Sequence, residues 1–289
     1  MPNLVERSLR IFGRSSLLGR HRVVYSLAPR RQRPLPFIAP FFGLSYAGDL
    51  SDWIDRHIWY FGAYAPEELA FLNRCAQVLA AGGRAVNFFD VGSNVGQHAL
   101  FMSPRVDQVF AFEPAQSALR RLKANITRNA LTNVQVFKVA LADADAQATL
   151  GSGFDGNSGS RSLLWTMPGK PTERVDVRRA DRFFTDQSLP PMDILKLDVE
   201  GYERKVLTGL GERLHRDRPM ILMELIGTVD KSGFSCEAEL RSVLYSDHVL
   251  FTVEPLGRGF RMVPFDWSKE SAVVIPAEHK RSFGDVTGR

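Results

Sequence analysis

Three carboxylates and a lysine end two apolar runs in the second half of the chain. Lys196, Asp198 and Glu200 alternate at the end of the run 192–199, and Glu224 ends the next run. Because side chains alternate along a strand, the first three point to one side. Such a cluster is unfavourable on a buried strand unless its members are paired or used in chemistry. The spacing favours catalysis: Asp198, Glu200 or Glu224 would take a proton from a hydroxyl group, with the lysine as their partner. The alternative is a lysine–carboxylate pair that only orders the strand end.

A metal ion is not indicated by this cluster, because no histidine or cysteine joins the carboxylates at ligand spacing. His98 is the only histidine close to the glycine-rich segment described next. We expect a packing role for it rather than a catalytic one.

The segment DVGSNVG at positions 90–96 follows an apolar run typical of a buried strand. Gly92 and Gly96 interrupt the strand pattern, and a helical pattern begins at Gln97. A strand, a glycine turn and a helix start together bring backbone N–H groups against a nucleotide-like ligand. Glu113 lies 21 positions after Gly92, close to the ~20-residue spacing of a carboxylate that binds ribose hydroxyls. The alternative is a tight turn that binds nothing.

The residue at the position of the fingerprint's second glycine indicates the type of cofactor. The dinucleotide fingerprint is G-x-G-x-x-G, but Asn94 replaces its second glycine here. That glycine lets a pyrophosphate approach the backbone. Its loss, with Asp90 at the strand end, disfavours NAD or ATP and favours S-adenosylmethionine, which carries an amino group and a sulfonium. The expected cofactor-binding residues are Asp90, Gly92, Ser93, Asn94, Gly96, Glu113, Pro114 and Asp198.

A third apolar run, 134–141, predicts the next strand, which ends in Ala142 and Asp143. In this cofactor class the end of the third strand commonly meets the adenine ring. Asp143 would then accept the exocyclic amine, with a solvated loop carboxylate as an equal alternative.

The alternation of apolar runs with helical patterns predicts an α/β fold, a Rossmann-like doubly wound sheet. A basic segment with a Pro-rich linker occupies 1–40. An N-terminal cap, which is helical and rich in aromatic residues, occupies 41–84. The main domain spans 85–278, with an antiparallel insertion at about 147–179, where glycines interrupt the helical pattern. Residues 279–289 form a loose tail.

Five segments together resemble the FkbM-type methyltransferases: FDVGSNVGQHAL, FAFEP, VALAD, DILKLDVEGYERKVLTG and PMILMEL. The resemblance covers about residues 43–274, and KLDVEG is its most specific part. It implies a mostly parallel sheet with an antiparallel last strand, S-adenosylmethionine as cofactor, and methylation of a hydroxyl group. The acceptor would be a small molecule, a sugar or a glycan.

The resemblance also bears on the acceptor site. The family's N-S-G-x-x-S-L stretch matches Asn157, Ser158, Gly159, Ser162 and Leu163, and Asn157 and Ser162 are therefore candidate substrate-binding residues. Tyr64, in an aromatic stretch of the cap, is a third candidate, although such residues are more often core side chains. The family usually has a glutamate after this tyrosine. Here Ala65 follows it, with Glu67 and Glu68 slightly later.

Charge is unevenly distributed in this chain of 289 residues with a net charge of +5. The first 33 residues hold eight arginines and one acid, so the rest is slightly acidic. This disfavours nucleic acid as a partner, because phosphate binding requires a basic body. The basic segment has three interpretations: a transit peptide, a helix that contacts anionic lipid, or a tail or helix packed on the body. Leu4, Ile11 and Leu18 fall seven apart, near one helical face.

The cysteine content and apolar runs indicate the compartment. Cys75 and Cys236 lack metal-ligand spacing and are compatible with a reducing, cytoplasmic location. No run approaches the roughly 18 apolar residues of a membrane span.

Two other functions remain open. A NAD-dependent oxidoreductase would use the same glycine turn, but the second glycine and a Tyr-x-x-x-Lys set are missing. A non-catalytic cofactor-binding protein is compatible with Ala65 at the position where relatives have glutamate.

Overall fold

The computed structural model describes residues 2–29, 31, 33–152, 156–157, 159–227, 232–257 and 259–284. The strands, numbered in chain order, are β1 (Pro36–Phe41), β2 (Leu44–Asp49), β3 (Asn87–Val91), β4 (Gln108–Phe112), β5 (Val134–Phe137), β6 (Ala140–Ala142), β7 (Ala146–Ser152), β8 (Arg161–Ser162), β9 (Thr172–Arg179), β10 (Ile194–Leu197), β11 (Met220–Glu224), β12 (His248–Leu256), β13 (Gly259–Pro264) and β14 (Ser271–Pro276). The helices are α1 (Leu4–Gly13), α2 (Arg20–Leu27), α3 (Trp53–Phe61), α4 (Pro66–Ala80), α5 (Gln97–Met102), α6 (Gln116–Arg128), α7 (Ala180–Asp186), α8 (Glu203–Leu210), α9 (Glu212–Asp217), α10 (Glu237–Val243) and a final 3₁₀-helix (Ala277–Phe283).

Eight strands form the central sheet in the order β13-β12-β14-β11-β10-β3-β4-β5. The five strands from β11 to β5 are parallel, and β14, β12 and β13 add antiparallel pairs. The strand order reverses between β3 and β10, which is where such sheets bind ligands. Val91 and Leu197 are register partners at this point, so the glycine turn and Asp198 lie side by side. The predicted fold class is confirmed, although the sequence did not indicate β13.

The core lies on both faces of this sheet because its central strands are apolar on both sides. All five residues of β3 are buried. Phe88 packs into the cluster beneath the cap and α4, whereas Phe89 packs into the cluster formed with α7 and α8. Within the cap, α4 begins with proline in its first turn and buries its apolar face.

The insertion forms a second sheet of four strands in the order β6-β9-β7-β8. The predicted single strand 134–141 is therefore wrong: β5 belongs to the central sheet, whereas β6 pairs with β9. This change of sheet turns Ala142 toward α8, where a Cβ added at Gly209 would lie 1.9 Å from the Ala142 carbonyl oxygen. The insertion consequently begins earlier than predicted.

The predicted linker at 29–40 is wrong from residue 36, because Pro36–Phe41 is β1 of an antiparallel hairpin with β2. Phe37 and Phe41 are buried while the prolines at 36 and 40 face solvent. Prolines are tolerated here because a two-stranded ribbon has only edge strands.

Helices are present near both ends of the described residues. The basic segment contains α1 and α2, and α1 begins with a capping box between Asn3 and Glu6. The predicted loose tail is wrong as far as residue 283, since the final 3₁₀-helix places Phe283 against Phe71. Within the described ranges, no helix combines the length and apolar character needed to cross a bilayer.

A buried ionic network fastens the cap to the main domain. Asp55 of α3 is fully buried and accepts hydrogen bonds from the Arg121 guanidinium of α6 and, at 2.7 Å, from the Tyr46 hydroxyl. Asp52 lies 3.7 Å from the same guanidinium. The network connects β2 and α3 to α6, which follows the strand that carries Glu113.

Replacing Arg121 by methionine should therefore lower the free energy of unfolding by about 3–5 kcal/mol, because it leaves the Asp55 carboxylate buried without its cation. Chemical denaturation measures the change. The exposed neighbour Arg120 provides the control, since Arg120→Met should change stability by less than about 0.5 kcal/mol. Equal effects of the two substitutions would show that the network does not hold the cap.

Candidate active site

A cavity lies at the carboxyl ends of β3, β4, β10 and β11. The cap, the glycine turn, the small sheet and the end of β10 all contribute to its wall. Its polar lining residues are Tyr64, Glu68, Asn94, His98, Glu113, Asn157, Arg161, Lys196, Asp198, Glu200, Tyr202 and Glu224. Gly92, Pro114 and apolar side chains complete it.

The backbone N–H groups of the glycine turn are already bonded within the protein. Gly92 and Ser93 both donate to the Phe112 carbonyl oxygen at 3.0 Å. Asn94, in the left-handed region at φ 47°, donates to Glu113 Oε2 at 2.8 Å. A pyrophosphate needs such groups free to donate. The turn is therefore not built to bind a dinucleotide through them.

The two glycines of the turn are required by packing. A Cβ at Gly92, where φ is +83°, would lie 1.7 Å from the Asp198 carbonyl oxygen. A Cβ at Gly96 would meet Leu122 at 2.3 Å. The Ser93 hydroxyl donates to the Asp90 carbonyl oxygen at 2.6 Å. Gly96, Ser93 and Asp90, all predicted to contact the cofactor, hold the turn in shape behind the cavity wall.

Glu113 has a structural role in addition to its place in the wall. Its second carboxylate oxygen accepts a hydrogen bond from the Ala115 N–H at 2.7 Å, while the first holds Asn94. Burial raises the pKa of Glu113 to about 7, although the two N–H groups oppose this shift. The carboxylate predicted to bind ribose therefore also fixes the turn.

Lys196 lies at the centre of the site and is buried. Its Nζ donates to the Gly92 carbonyl oxygen and to Asp198 Oδ2, both at 2.9 Å, and lies 3.8 Å from Asp90 Oδ1. Burial alone would lower the pKa of Lys196, but the carboxylates of Asp198 and Asp90 raise it above its ordinary value. The lysine is therefore a fixed cation that positions its neighbours and does not accept a proton.

The three predicted catalytic carboxylates meet in the cavity. Oxygen atoms of Asp198, Glu200 and Glu224 lie within 4.8 Å of one another. Burial raises the pKa of Glu224, reinforced by the Asp198 charge and their shared hydrogen bond, whereas Lys196 keeps the pKa of Asp198 low despite burial. Glu224 is thus the protonated partner of an ionised Asp198. Because burial and the Asp198 charge raise the pKa of Glu224, a cationic ligand would stabilise its ionised form. The spacing of the three carboxylates is also compatible with a metal ion, which was not predicted from the sequence.

Glu200 differs from the other two because its carboxylate makes no hydrogen bond within the described part of the chain. Burial, with the charges of Asp198 and Glu203, raises its pKa to about 8. Its backbone is in the left-handed region at φ 54°. The Ser162 hydroxyl, predicted to bind substrate, instead donates to the Glu200 carbonyl oxygen at 2.8 Å. Ser162 therefore positions the Glu200 backbone.

Glu203, which sequence reasoning missed, holds the loop that follows β10. Its carboxylate accepts hydrogen bonds from the N–H groups of Val199 at 2.8 Å and Gly201 at 3.0 Å, on either side of Glu200. Burial raises the pKa of Glu203 to about 7. The left-handed backbone of Glu200 persists because these bonds brace it.

Two residues after the turn connect the cap to the cofactor side of the cavity. The Gln97 side-chain amide exchanges two hydrogen bonds with the Tyr64 backbone, at 2.7 and 2.9 Å. His98 Nε2 lies 3.4 Å from Glu68 Oε2 at the cavity wall. Their position directly after Gly96 was the only signal in the sequence for Gln97 and His98. For Glu68, the signal was its place shortly after Ala65, where relatives have a glutamate.

The remaining predicted residues are divided between the cavity and its surroundings. Asn157 and Pro114 line it, whereas Ser158 lies outside the described residues. Ala142 and Asp143 do not line it, because β6 leads away into the small sheet; the positions that do are Val139, Ala140 and Leu141. The adenine contact predicted for Asp143 therefore does not fit this structure.

Comparison with known proteins now adds to this geometry. The profile of the Methyltransferase FkbM domain matches residues 90–261, more than half of the chain. The chain belongs to the FkbM methyltransferase domain family. The match includes the glycine turn, Glu113 and the three carboxylates.

Three curated methyltransferases resemble this chain over less than half its length, and the aligned part spans less than two thirds of each of them. It is 32% identical over 153 residues to the 31-O-demethyl-FK506 methyltransferase FkbM of Streptomyces tacrolimicus, with 42% of this chain and 58% of that protein covered. It is 29% identical to the 2-O-methyltransferase NoeI of Sinorhizobium fredii, with 45% and 59% covered. It is 28% identical to the hexuronic acid methyltransferase AglP of Haloferax volcanii, with 49% and 56% covered.

Among solved structures, a methyltransferase FkbM from Methylobacillus flagellatus aligns with 66% of this chain and 43% of its own. The TM-score is 0.44 and the sequence identity is 14%.

The raised pKa of Glu203 makes the free energy of unfolding depend on pH. The folded protein keeps the Glu203 proton up to about pH 7, whereas an unfolded glutamate releases it near about 4.3. The folded state binds more protons between these values, so the free energy of unfolding falls as pH rises through this window. Glu203→Gln should remove up to about 1.4 kcal/mol per pH unit from that slope.

Denaturation at several pH values between about 5 and 7 measures the slope. Glu212→Gln, at an exposed position of α9, should leave it unchanged. A Glu203→Gln protein with the wild-type slope would show that Glu203 is ionised throughout.

Proposed function

We propose that this protein transfers a methyl group from S-adenosylmethionine to a hydroxyl group of a sugar, glycan or other small molecule. The observation that carries the proposal is the pairing of two features at the switch point of the sheet: a turn whose N–H groups at Gly92, Ser93 and Asn94 are already bonded, and an acidic cluster. This arrangement disfavours pyrophosphate and favours a cation. The relatives named above are methyltransferases, and two of their names specify O-methylation.

The cavity has unused groups that fit S-adenosylmethionine. Asn94 Oδ1 and Arg161 Nη1 are buried at its wall and have no hydrogen-bond partner among the described residues. Apolar side chains, among them Phe112 and Leu141, offer a surface for an adenine ring. When bound, this cofactor supplies a methyl group activated by its sulfonium.

A second groove is available for the acceptor, and it adjoins the cavity through Tyr64, Glu68 and Glu224. Aromatic rings line it: those of His21, Tyr25, Phe42, His57 and Phe61. Such rings suit the apolar faces of sugars, and polar groups at the junction would orient the hydroxyl groups. AglP is described as a hexuronic acid methyltransferase, which agrees with a sugar acceptor.

Within this proposal Glu200 is the general base. It lines the cavity, its carboxylate is unpaired among the described residues, and its raised pKa makes it a better proton acceptor than Asp198. It would take the hydroxyl proton as the acceptor oxygen forms its bond to the methyl carbon, a contribution of about 10²–10⁴-fold. Asp198, fixed by Lys196 and Glu224, would orient the reactants.

The predicted location agrees with this proposal, whereas two alternative functions compete with it. A cytoplasmic location agrees with Cys75 and Cys236, which are both free thiols. A NAD-dependent oxidoreductase is disfavoured by the bonded N–H groups of the turn. A non-catalytic cofactor-binding protein remains the competitor that kinetics must test.

Isothermal titration calorimetry tests the cofactor. S-adenosylmethionine should bind with measurable heat and NAD should not, because Gly92, Ser93 and Asn94 have no N–H group left for a pyrophosphate. S-adenosylhomocysteine lacks the sulfonium charge and is therefore the control ligand that tests the acidic cluster. It should release fewer protons on binding than S-adenosylmethionine does. NAD binding of similar affinity would exclude the proposed cofactor specificity.

The pH profile of methyl transfer tests the base. With a hydroxyl acceptor found by screening sugars and glycans with labelled S-adenosylmethionine, kcat/KM should rise with pH to a plateau above about 8. Glu200→Gln should lower kcat by about 10²–10⁴-fold and remove this rise. Cofactor affinity, measured in parallel, should change far less. Full turnover by Glu200→Gln would show that another group accepts the proton or that the reaction needs no base.

A further inference from the structure

The first helix presents large apolar side chains to solvent. Glu6, Leu9 and Gly13 form its buried face, so Leu4 and Ile11 lie on the opposite side. Their exposed fractions are 79% and 76%. The helix therefore has an apolar outer face that nothing in the described chain covers.

The exposed apolar residues continue into the turn and the second helix. Leu18 is fully exposed, and Leu17 beside it and Leu27 at the end of α2 are exposed by more than half. Eight of the fourteen large apolar side chains that are exposed in the described chain lie between Leu4 and Leu27. Single exposed apolar residues are ordinary, but a concentration of this kind marks an interaction surface.

Arginines accompany these apolar side chains. A groove between α1 and the β1–β2 hairpin contains Ile11 and Ile38 together with Arg7, Arg10, Arg14 and Arg128, and no acidic residue lines it within the described chain. Arg10 lies over the Trp59 ring at 4.3 Å, and Arg14 donates to the Ile58 carbonyl oxygen at 3.0 Å. Among the residues that the structure describes, no carboxylate forms an ion pair with Arg10 or Arg14, so these two positive charges are held in place without being neutralised.

We propose that this N-terminal face, formed by Leu4, Ile11, Leu17, Leu18 and Ile38 with the arginines of α1, binds the surface of an anionic lipid bilayer. Exposed leucine and isoleucine side chains would enter the interface, and the arginines would pair with lipid phosphates. Charge selects this occupant, since an apolar protein partner would not require a groove with four arginines and no acid.

The N-terminal face adjoins the acceptor groove, so membrane binding would bring the groove close to the lipid surface. Arg14 and Arg20, on either side of the turn with Leu17 and Leu18, also line the acceptor groove. A bilayer bound at this turn would lie beside the groove mouth. The inference concerns membrane binding alone and stands whether or not the proposed methylation is correct.

Vesicle co-sedimentation of the full chain tests the proposal. Vesicles of phosphatidylcholine with one-third phosphatidylglycerol should bind the protein at least about tenfold more tightly than phosphatidylcholine alone, and the difference should shrink at high salt, because salt screens the attraction. The double substitution Ile11→Ser and Leu18→Ser, at exposed positions, should weaken binding by about tenfold or more with an unchanged melting temperature. Arg7→Gln, at an exposed position of α1, should lower the salt dependence.

Matched controls use exposed residues away from this face. Leu256→Ser on β12 and Arg182→Gln on α7 should leave vesicle binding unchanged. The proposal fails if wild type does not bind anionic vesicles, if it binds neutral vesicles equally well, or if the controls lose as much as the test variants. It also fails if sedimentation equilibrium shows a dimer that Ile11→Ser with Leu18→Ser dissociates, because a second copy would then cover the face.

Discussion

The buried ammonium group of Lys196 is the interaction on which the rest of the site depends. It joins two separate segments, because it donates to the Gly92 carbonyl and to the Asp198 carboxylate at 2.9 Å each. Without this cation, the fully buried Asp90 and the half-buried Asp198 would lack a nearby compensating charge. The lysine thus allows carboxylates to gather at the edge of a hydrophobic sheet. In the proposed reaction, a cationic donor would stabilise the ionised forms of Glu200 and Glu224 in the same way.

Much of the site could be predicted because its residues directly follow strands in the sequence. The topology of the sheet then brings the ends of these strands together. The turn after β3, Glu113 after β4 and Asp198 after β10 each follow a strand directly. In a parallel sheet such strand ends share one edge, and the register of Val91 with Leu197 places them side by side. Type and spacing were therefore sufficient to find the carboxylates. Their different protonation states required the distances to Lys196 and to one another.

The residues that were missed depend on contacts that no local pattern records. The change of sheet between Phe137 and Ala140 occurs within a continuous apolar run, so Ala142 and Asp143 were predicted at a cavity wall that Val139, Ala140 and Leu141 form instead. The prolines at 36 and 40 indicated a linker, although they alternate with buried residues as in a strand. Glu203 begins α8 and Glu68 lies in the first turn of α4, so both reach the site through the packing of their helices.

The paired hydrogen bonds between the Gln97 amide and the Tyr64 backbone fix a residue that two compartments share. Tyr64 borders both the cavity and the acceptor groove, while Gln97 begins the helix that the glycine turn leads into. In the proposed reaction, the wall between donor and acceptor is therefore tied to the same turn that borders the donor.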